Sequence, residues 1–318
     1  MNDIKYGRKR SGIRRQLKHK INEWLESIDD EATREMARKN VIVTGGSIAS
    51  MLLGEPVNDY DIYFKNKLAT EIIAKYYVEK FIKLNKKKMK KTCNGYLPEV
   101  RLETLLNCKG KPEERVVIFL KSAGVIAENQ EEYHYFESLS EDATIDFAES
   151  LMKEMAAEAD SRGTYRPVFM SQNAITLSDK MQIVIRFYGK PQEIHDNYDF
   201  LHATCWYDHS KDELYFPPAA MECLLSRTLI YHGSLYPVAS IFRMKKFIQR
   251  GWRITAGQQL KIMWQISELN LRDMSTLREQ LTGVDMAYMY QLIQAISSVD
   301  LEKINSTYIA EIIDRIFD

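Results

Sequence analysis

The chain has 318 residues, 44 Lys/Arg against 44 Asp/Glu, 45% hydrophobic and 28% charged residues, and so no formal net charge. That length corresponds to about two domains at ~150 residues each, and with 14 Gly, 8 Pro and 18 Tyr the composition excludes collagen-like, low-complexity and wholly disordered chains. The neutrality hides segregation: residues 1–20 carry eight bases against one acid, residues 65–91 carry ten lysines against two acids, and residues 128–162 carry eleven acids against two bases.

Ile13, Leu17, Ile21, Trp24, Leu25 and Ile28 recur at spacings of three and four, which predicts a helix with one packed face and Arg14, Arg15 and Lys18 on the other. A second helix is expected from Asp29 or Asp30 to Lys39, with acids early and bases late, as the helix dipole prefers. Val41–Thr44 reads as a buried strand that runs into Gly45-Gly46-Ser47. A short helix over 48–53 follows, closed by Gly54 and Pro56. Residues 59–64 alternate as a strand, and 66–84 have a broad apolar helical face that the basic run Lys86–Lys91 is expected to end as a loop.

Further on, Arg115–Lys121 reads as a central strand, and 128–163 as an acidic insertion. Residues 168–170 form a short apolar run, and Met181–Tyr188 form the clearest strand of the chain. Strands are also expected over 200–207 and 214–216. After Pro217-Pro218 the pattern is helical throughout, at 218–231, 237–250, 256–269, 273–281, 285–298 and 307–317. The expected organisation is a basic arm with helices over 1–40, a mixed α/β core over 41–217 with an insertion at about 85–165, and a helical part over 218–318.

Cys93, Cys108, Cys205 and Cys223 include no C-x-x-C pair, which suits a reducing compartment. No apolar run reaches the ~18 residues of a membrane span, and the charged start lacks a signal-peptide core. A cytoplasmic protein without membrane contact is therefore expected.

The chemistry concentrates between Val41 and Ile62. Two glycines at a strand end let the backbone turn tightly and approach a ligand. The helix behind them aims free N–H groups and its positive end at the same place, with the Ser47 hydroxyl as a further donor, which makes an anion cradle. Residues two apart on a strand share a face, with Cα atoms ~6.5–7 Å apart. Asp59 and Asp61 therefore project together, opposite Tyr60 and Ile62. Two convergent carboxylates beside a phosphate cradle describe a site for Mg²⁺ or Mn²⁺ of the two-metal kind.

Gly-Gly-Ser, a spacer, and then D-x-D on a strand resembles the head of the DNA polymerase β nucleotidyltransferase superfamily. The segment Val43-Thr-Gly-Gly-Ser-Ile-Ala-Ser-Met-Leu-Leu-Gly54 through Asp59-Tyr-Asp-Ile62 resembles most the CCA-adding and bacterial poly(A) polymerase head, with Ala49-Ser50 where that head carries Arg-Asp. Asn173-Ala174 resembles the end of that family's R-R-D-F-T-x-N-A motif, without its R-R-D. Residues 236–252, with Arg243, Lys246 and Arg250, resemble the basic helix that follows the head.

The resemblance implies an α+β nucleotidyltransferase fold: a mixed sheet with flanking helices, followed by an all-α C-terminal domain. It implies transfer of an NMP from an NTP to an acceptor hydroxyl, with Asp59, Asp61 and a third carboxylate as catalytic and metal-binding residues. Asp199 is the expected third member, since strands 181–188 and 200–207 are expected to pair; Asp179, Asp196 and Asp208 are its rivals. Gly45, Gly46, Ser47, Arg186, Arg243 and Lys246 are the expected nucleotide-binding residues, two Mg²⁺ or Mn²⁺ ions the cofactors, and an RNA 3′ end the leading acceptor. A protein hydroxyl, an oligonucleotide product, or a non-catalytic nucleic-acid-binding or assembly role on the same scaffold are the alternatives.

Overall fold

The structure is a computed structural model. It describes residues 7–92, 97–106, 112–119 and 164–271, with 273, 276, 277 and 280. The acidic stretch 128–162 and the helices expected at 285–298 and 307–317 lie outside the described residues.

The chain opens with α1 (Arg10–Glu26), whose apolar residues Ile13, Leu17, Ile21, Trp24 and Leu25 are all buried as their spacing demands. Next comes α2 (Glu31–Asn40). The Asp30 carboxylate caps it by accepting the Thr33 N–H at 2.7 Å, and Glu31 at one end and Arg38 and Lys39 at the other complement its dipole. β1 (Val41–Thr44) then runs into α3 (Gly46–Leu53), and β2 (Tyr60–Phe64) into α4 (Lys67–Thr92). Helix α4 continues through the lysine run instead of ending before it. Lysine is a good helix former and no glycine or proline interrupts residues 67–92, so charge alone does not stop the helix.

β3 (Glu99–Leu106) and β4 (Pro112–Phe119) form their own antiparallel pair. The expectation of a central strand at 115–121 is thereby corrected: the alternating segment 99–106, close in sequence, takes β4 as its partner. That pair is tied back to the body where Ile118 N–H donates to the Gln172 carbonyl and the Tyr188 hydroxyl donates to the Glu114 carbonyl.

β5 (Pro167–Met170), β6 (Ala174–Leu177), β7 (Met181–Tyr188), the short α5 (Pro191–His195), β8 (Trp206–Asp208) and β9 (Glu213–Tyr215) complete the core. Seven strands form one mixed sheet in the order β5-β6-β7-β2-β1-β8-β9, in which β2 pairs parallel with β7 and antiparallel with β1. The fold is α+β, as expected from sequence.

The sheet has two unlike faces. Val41, Val43, Ile62, Phe64, Ile183 and Ile185 face α1 and α4 in the main core, where the Trp24 indole N–H donates to the Tyr77 hydroxyl at 2.8 Å. Ile42 and Tyr63 face the other way, with Ile194 of α5, Tyr198 and Trp206.

The strand expected at 200–207 is the second correction. Phe200 makes only a single bridge to Tyr231, residues 201–203 form a 3-10 turn closed by the Thr204 hydroxyl on the Leu201 carbonyl at 2.8 Å, and only 206–208 is strand. That strand pairs with β1 and β9, not with β7.

After Pro217 come α6 (Pro218–Ser226), α7 (Pro237–Gln249) and α8 (Ala256–Ser267). This part is not all helix. β10 (Thr228–Leu229) and β11 (Arg253–Ile254) pair in parallel between the helices, because Arg227, in the left-handed conformation (φ 48°), ends α6 early.

Candidate active site at the mouth of α3

Gly45 adopts φ 95° and ψ −156°, a region essentially reserved for glycine. A Cβ at Gly45 would stand 2.7 Å from the Asp61 Oδ2 atom. The bare backbone at Gly45 therefore lets a carboxylate lie against the entrance of α3. Gly45 N–H is itself engaged, donating to the Ala203 carbonyl at 3.1 Å. The cradle's donors are thus the N–H groups of Gly46 and Ser47, which open α3 and have no acceptor within the helix. Ser47 is buried, and its Oγ has no hydrogen-bond partner among the described residues.

Asp61 is the second residue of β2, opposite Thr44 on β1 and Gln182 on β7. Asp59 lies two residues earlier, in the loop that leads into the strand. Burial and the negative charge of Asp59 push the Asp61 carboxyl up to about 8. Asp59 is exposed as a residue, yet its carboxyl sits among enough protein atoms for burial to raise it too, against the charges of Arg250 and Lys180, which lower it. No described side chain forms a hydrogen bond or ion pair with either carboxylate.

Behind Asp61 a hydroxyl network fills the apolar face. The Thr44 hydroxyl donates to the Cys205 carbonyl at 2.9 Å and lies 2.8 Å from His195 Nε2, which leaves the imidazole to donate. Burial pulls His195 down to about 4, so it is neutral at pH 7. The Tyr198 hydroxyl donates to that of Tyr63 at 3.0 Å, and burial together with the Asp61 charge keeps both phenols protonated.

Asp199 does not join the pair. Its Oδ2 accepts from Arg243 Nη1 at 2.7 Å, and among the described residues no group of three His, Cys, Asp or Glu side chains gathers as a metal site. The cause is the sheet order. β2 is flanked by β7, which presents Gln182 beside Asp61, and by β1, which presents Thr44, and the chain beyond α5 joins the sheet only as β8 on the far side of β1. The rivals are occupied elsewhere: Asp179 accepts from Tyr165 N–H and Ser178, Asp208 pairs with Lys65 at 2.7 Å, and Asp196 ends α5.

Of the expected phosphate-binding bases, Arg243 acts on Tyr63, the next residue but one after Asp61, through its charge. The Arg186 guanidinium stacks 4.6 Å from the Tyr236 ring, and Lys246 is exposed in the last turn of α7. Lys180 and Arg250 were not among the expected site residues; Arg250 was visible in the basic helix, but its reach to Asp59 depends on the fold.

The donor set fits a divalent cation. Two carboxylates that repel one another, one of them against Gly45, lie at the end of α3 that carries the unpartnered Ser47 hydroxyl, and Mg²⁺ is commonly held by one or two carboxylates with phosphates and water filling the rest.

A family model described as Gabija anti-defense 2 family protein matches residues 15–227. No curated protein matches the chain. Among solved structures, the Thermotoga maritima CCA-adding enzyme complexed with tRNA aligns at TM-score 0.38 and 14% identity over 94% of this chain and 69% of that one. The Bacillus stearothermophilus CCA-adding enzyme in complex with CTP aligns at TM-score 0.36 and 12% identity over 86% of this chain and 51% of that one. A CCA-adding enzyme in complex with ATP aligns at 0.34 and 13%, over 93% and 68%. The chain thus spans between 51% and 69% of the length of these enzymes. Among the described residues no helix is long and apolar enough to cross a membrane.

Proposed function

The chain belongs to the Gabija anti-defense 2 family, and from that premise we propose that it is a metal-dependent nucleotidyltransferase whose reaction serves to counter the Gabija defence. The observation that carries the proposal is the close approach of Asp61 to Gly45: a half-buried carboxylate with a raised pKa stands where a side chain at Gly45 would be, at the N-terminus of α3, with a second carboxylate two residues away.

Asp59 and Asp61 would hold the cation. When bound, it supplies Lewis-acid activation of the acceptor hydroxyl and charge neutralisation at the phosphates. The chain does the rest. Burial and the Asp59 charge favour a proton on the Asp61 carboxyl in the metal-free chain, and Asp61 would release that proton to hold a cation. The amides of Gly46 and Ser47 and the Ser47 hydroxyl hold the outer phosphates. The Thr44, Tyr63 and Tyr198 hydroxyls and neutral His195 fix the floor under Asp61. Arg243, itself oriented by Asp199, supplies positive charge beside Tyr63. In the reaction the acceptor oxygen bonds to the α-phosphorus, the bond from that phosphorus to the bridging oxygen breaks, pyrophosphate leaves, and the hydroxyl proton passes to solvent.

We propose an RNA 3′ end as acceptor, on the strength of the basic segments. The test is transfer from each α-³²P-labelled NTP into RNA, protein or a small product, with Asp59→Asn as control. Label that enters RNA with the wild type and not with Asp59→Asn supports the proposal. Label in protein changes the acceptor only. No difference between the two proteins in any fraction overturns the enzyme in favour of a binding protein, which the anti-defense description also suits.

A further inference from the structure

The exposed side of α1 carries a basic groove that the reaction above does not use. Two adjoining cavities run along it. One, of about 690 Å³, is lined by Arg8, Lys9, Arg15 and His19. The other, of about 450 Å³, shares Arg8 and His19 and continues to Lys20, Val57, Tyr60 and Lys180.

The charges on this surface are unbalanced in a specific way. Its three acids are engaged: Glu55 pairs with Arg227 at 3.1 Å, while Asp179, which accepts from Tyr165 N–H and Ser178, and Glu23, which lies 3.4 Å from His19 and accepts from the Tyr165 hydroxyl, both act through their charge on Lys20. Arg8, Lys9 and Arg15 are exposed and form no ion pair with any described residue. Lys20 closes the floor, with its ammonium 4.8 Å from the Tyr165 ring and 5.6 Å from that of Tyr60.

The far end of the groove is the loop that leads to Asp59. Val57 and Tyr60 line it, Lys180 Nζ donates to the Val57 carbonyl at 3.4 Å, and Tyr60 N–H donates to the Lys180 carbonyl at 2.8 Å. The Lys180 charge acts on Asp59 itself.

We propose that this groove holds the phosphate backbone of single-stranded RNA and leads it to the loop that carries Asp59. Charge complementarity selects a polyanion, since Arg8, Lys9 and Arg15 have no ion-pair partner among the described residues, while the neighbouring acids face Arg227 and Lys20. An open groove of successive cations that tracks along a helix suits a flexible single strand, and with Tyr60 and Tyr165 capped by Lys20 the binding is through phosphates and indifferent to base. The destination of the strand rests on the transfer reaction proposed above; its binding does not.

The test is fluorescence anisotropy with a labelled single-stranded RNA of about 20 nucleotides, full-length protein, and salt from about 50 to 200 mM. The proteins compared are wild type, the triple variant Arg8→Ala/Lys9→Ala/Arg15→Ala, a variant with the lysines of 86–91 changed to alanine, and Asp59→Asn. The triple variant is expected to bind more weakly and to lose about 2 from the slope of log K against log salt, at ~0.7 per phosphate contact. Its thermal melt should match wild type, because the three side chains are exposed. Asp59→Asn is read for transfer alone: if it and the wild type both fail to transfer while the wild type binds RNA and the triple variant does not, the groove stands and the proposed reaction falls. Wild-type affinity and slope in the triple variant, loss of binding only in the 86–91 variant, or no RNA binding by wild type would each overturn the proposal.

Discussion

Alanine at Gly45 and alanine at Gly46 are adjacent substitutions with opposite expected effects. Gly45 holds φ 95° and ψ −156°, a conformation that costs a residue with a side chain about 1–3 kcal/mol. The new methyl would also stand 2.7 Å from Asp61 Oδ2, so the carboxylate must move. Together these predict a loss of about 2–3 kcal/mol for Gly45→Ala. At Gly46 a Cβ meets nothing within 4 Å. Its position in the first turn of α3 favours alanine by up to roughly 0.5–1 kcal/mol. Urea unfolding of the two variants without metal should therefore separate them by about 3 kcal/mol. Mn²⁺ titration by calorimetry should show weakened binding only for Gly45→Ala, because only there is Asp61 displaced. Equal stabilities, or Mn²⁺ affinity unchanged by Gly45→Ala, would refute the placement of Asp61 against the cradle.

The other predictions concern charge. Asp61 has a folded-state pKa of about 8, above its ordinary value of 3.8, so the folded chain holds a proton that the unfolded chain loses between those values, and its contribution to stability falls as pH rises through that window. Asp61→Asn should accordingly stabilise the metal-free protein at pH 8 by about 0.5–2 kcal/mol and less at pH 5, in melts followed by circular dichroism. For the same reason Mn²⁺ affinity of the wild type should rise from pH 6 to pH 8 and binding should release protons, which calorimetry in buffers of different ionisation enthalpy detects. Arg243→Ala leaves the largely buried Asp199 carboxylate (13% exposed) without its partner and should cost about 1–3 kcal/mol. Asp199→Asn, in contrast, should leave Mn²⁺ affinity unchanged. Burial pulls His195 and His202 from 6.5 down to about 4, so the unfolded state binds the extra protons and stability drops as pH falls through that range. His202→Phe should flatten the acid limb of a stability–pH profile.

Much of this was legible from residue types and spacing. Helix α1 was readable because five apolar residues fall on one face, and all five are buried, as is Ile28 just beyond its end. The glycine turn into α3 and the place of Asp59 and Asp61 at the start of β2 were readable because glycine conformation, a helix start and a strand's two-residue period are local properties, and all lie within residues 41–64. What failed was non-local. The third carboxylate was sought beside β7 because strands near in sequence often pair, but β8 went to β1 and left Gln182 next to Asp61. Asp199 was instead drawn to Arg243, 44 residues away, a contact that needs the helical part in place. The lysine run stays helical because propensity outweighs charge, and β4 is not a strand of the central sheet because 99–106 pairs with it, although its Val116 and Ile118 pack in the main core and its Arg115 lies 5.1 Å from the ring of Phe187 on β7. The pressures on Asp59 from Lys180 and Arg250 are likewise products of the fold alone.

The proposed reaction requires Asp59, Asp61 and residues 45–47 to form one metal–nucleotide site. The most direct test is a crystal structure of the full chain with Mn²⁺ and a non-hydrolysable NTP, using anomalous scattering to locate the metal. The account predicts an anomalous peak about 2.0–2.3 Å from oxygens of both Asp59 and Asp61, with the triphosphate on the amides of Gly46 and Ser47. An anomalous peak elsewhere, or a bound nucleotide that leaves the two carboxylates and the cradle untouched, would contradict it.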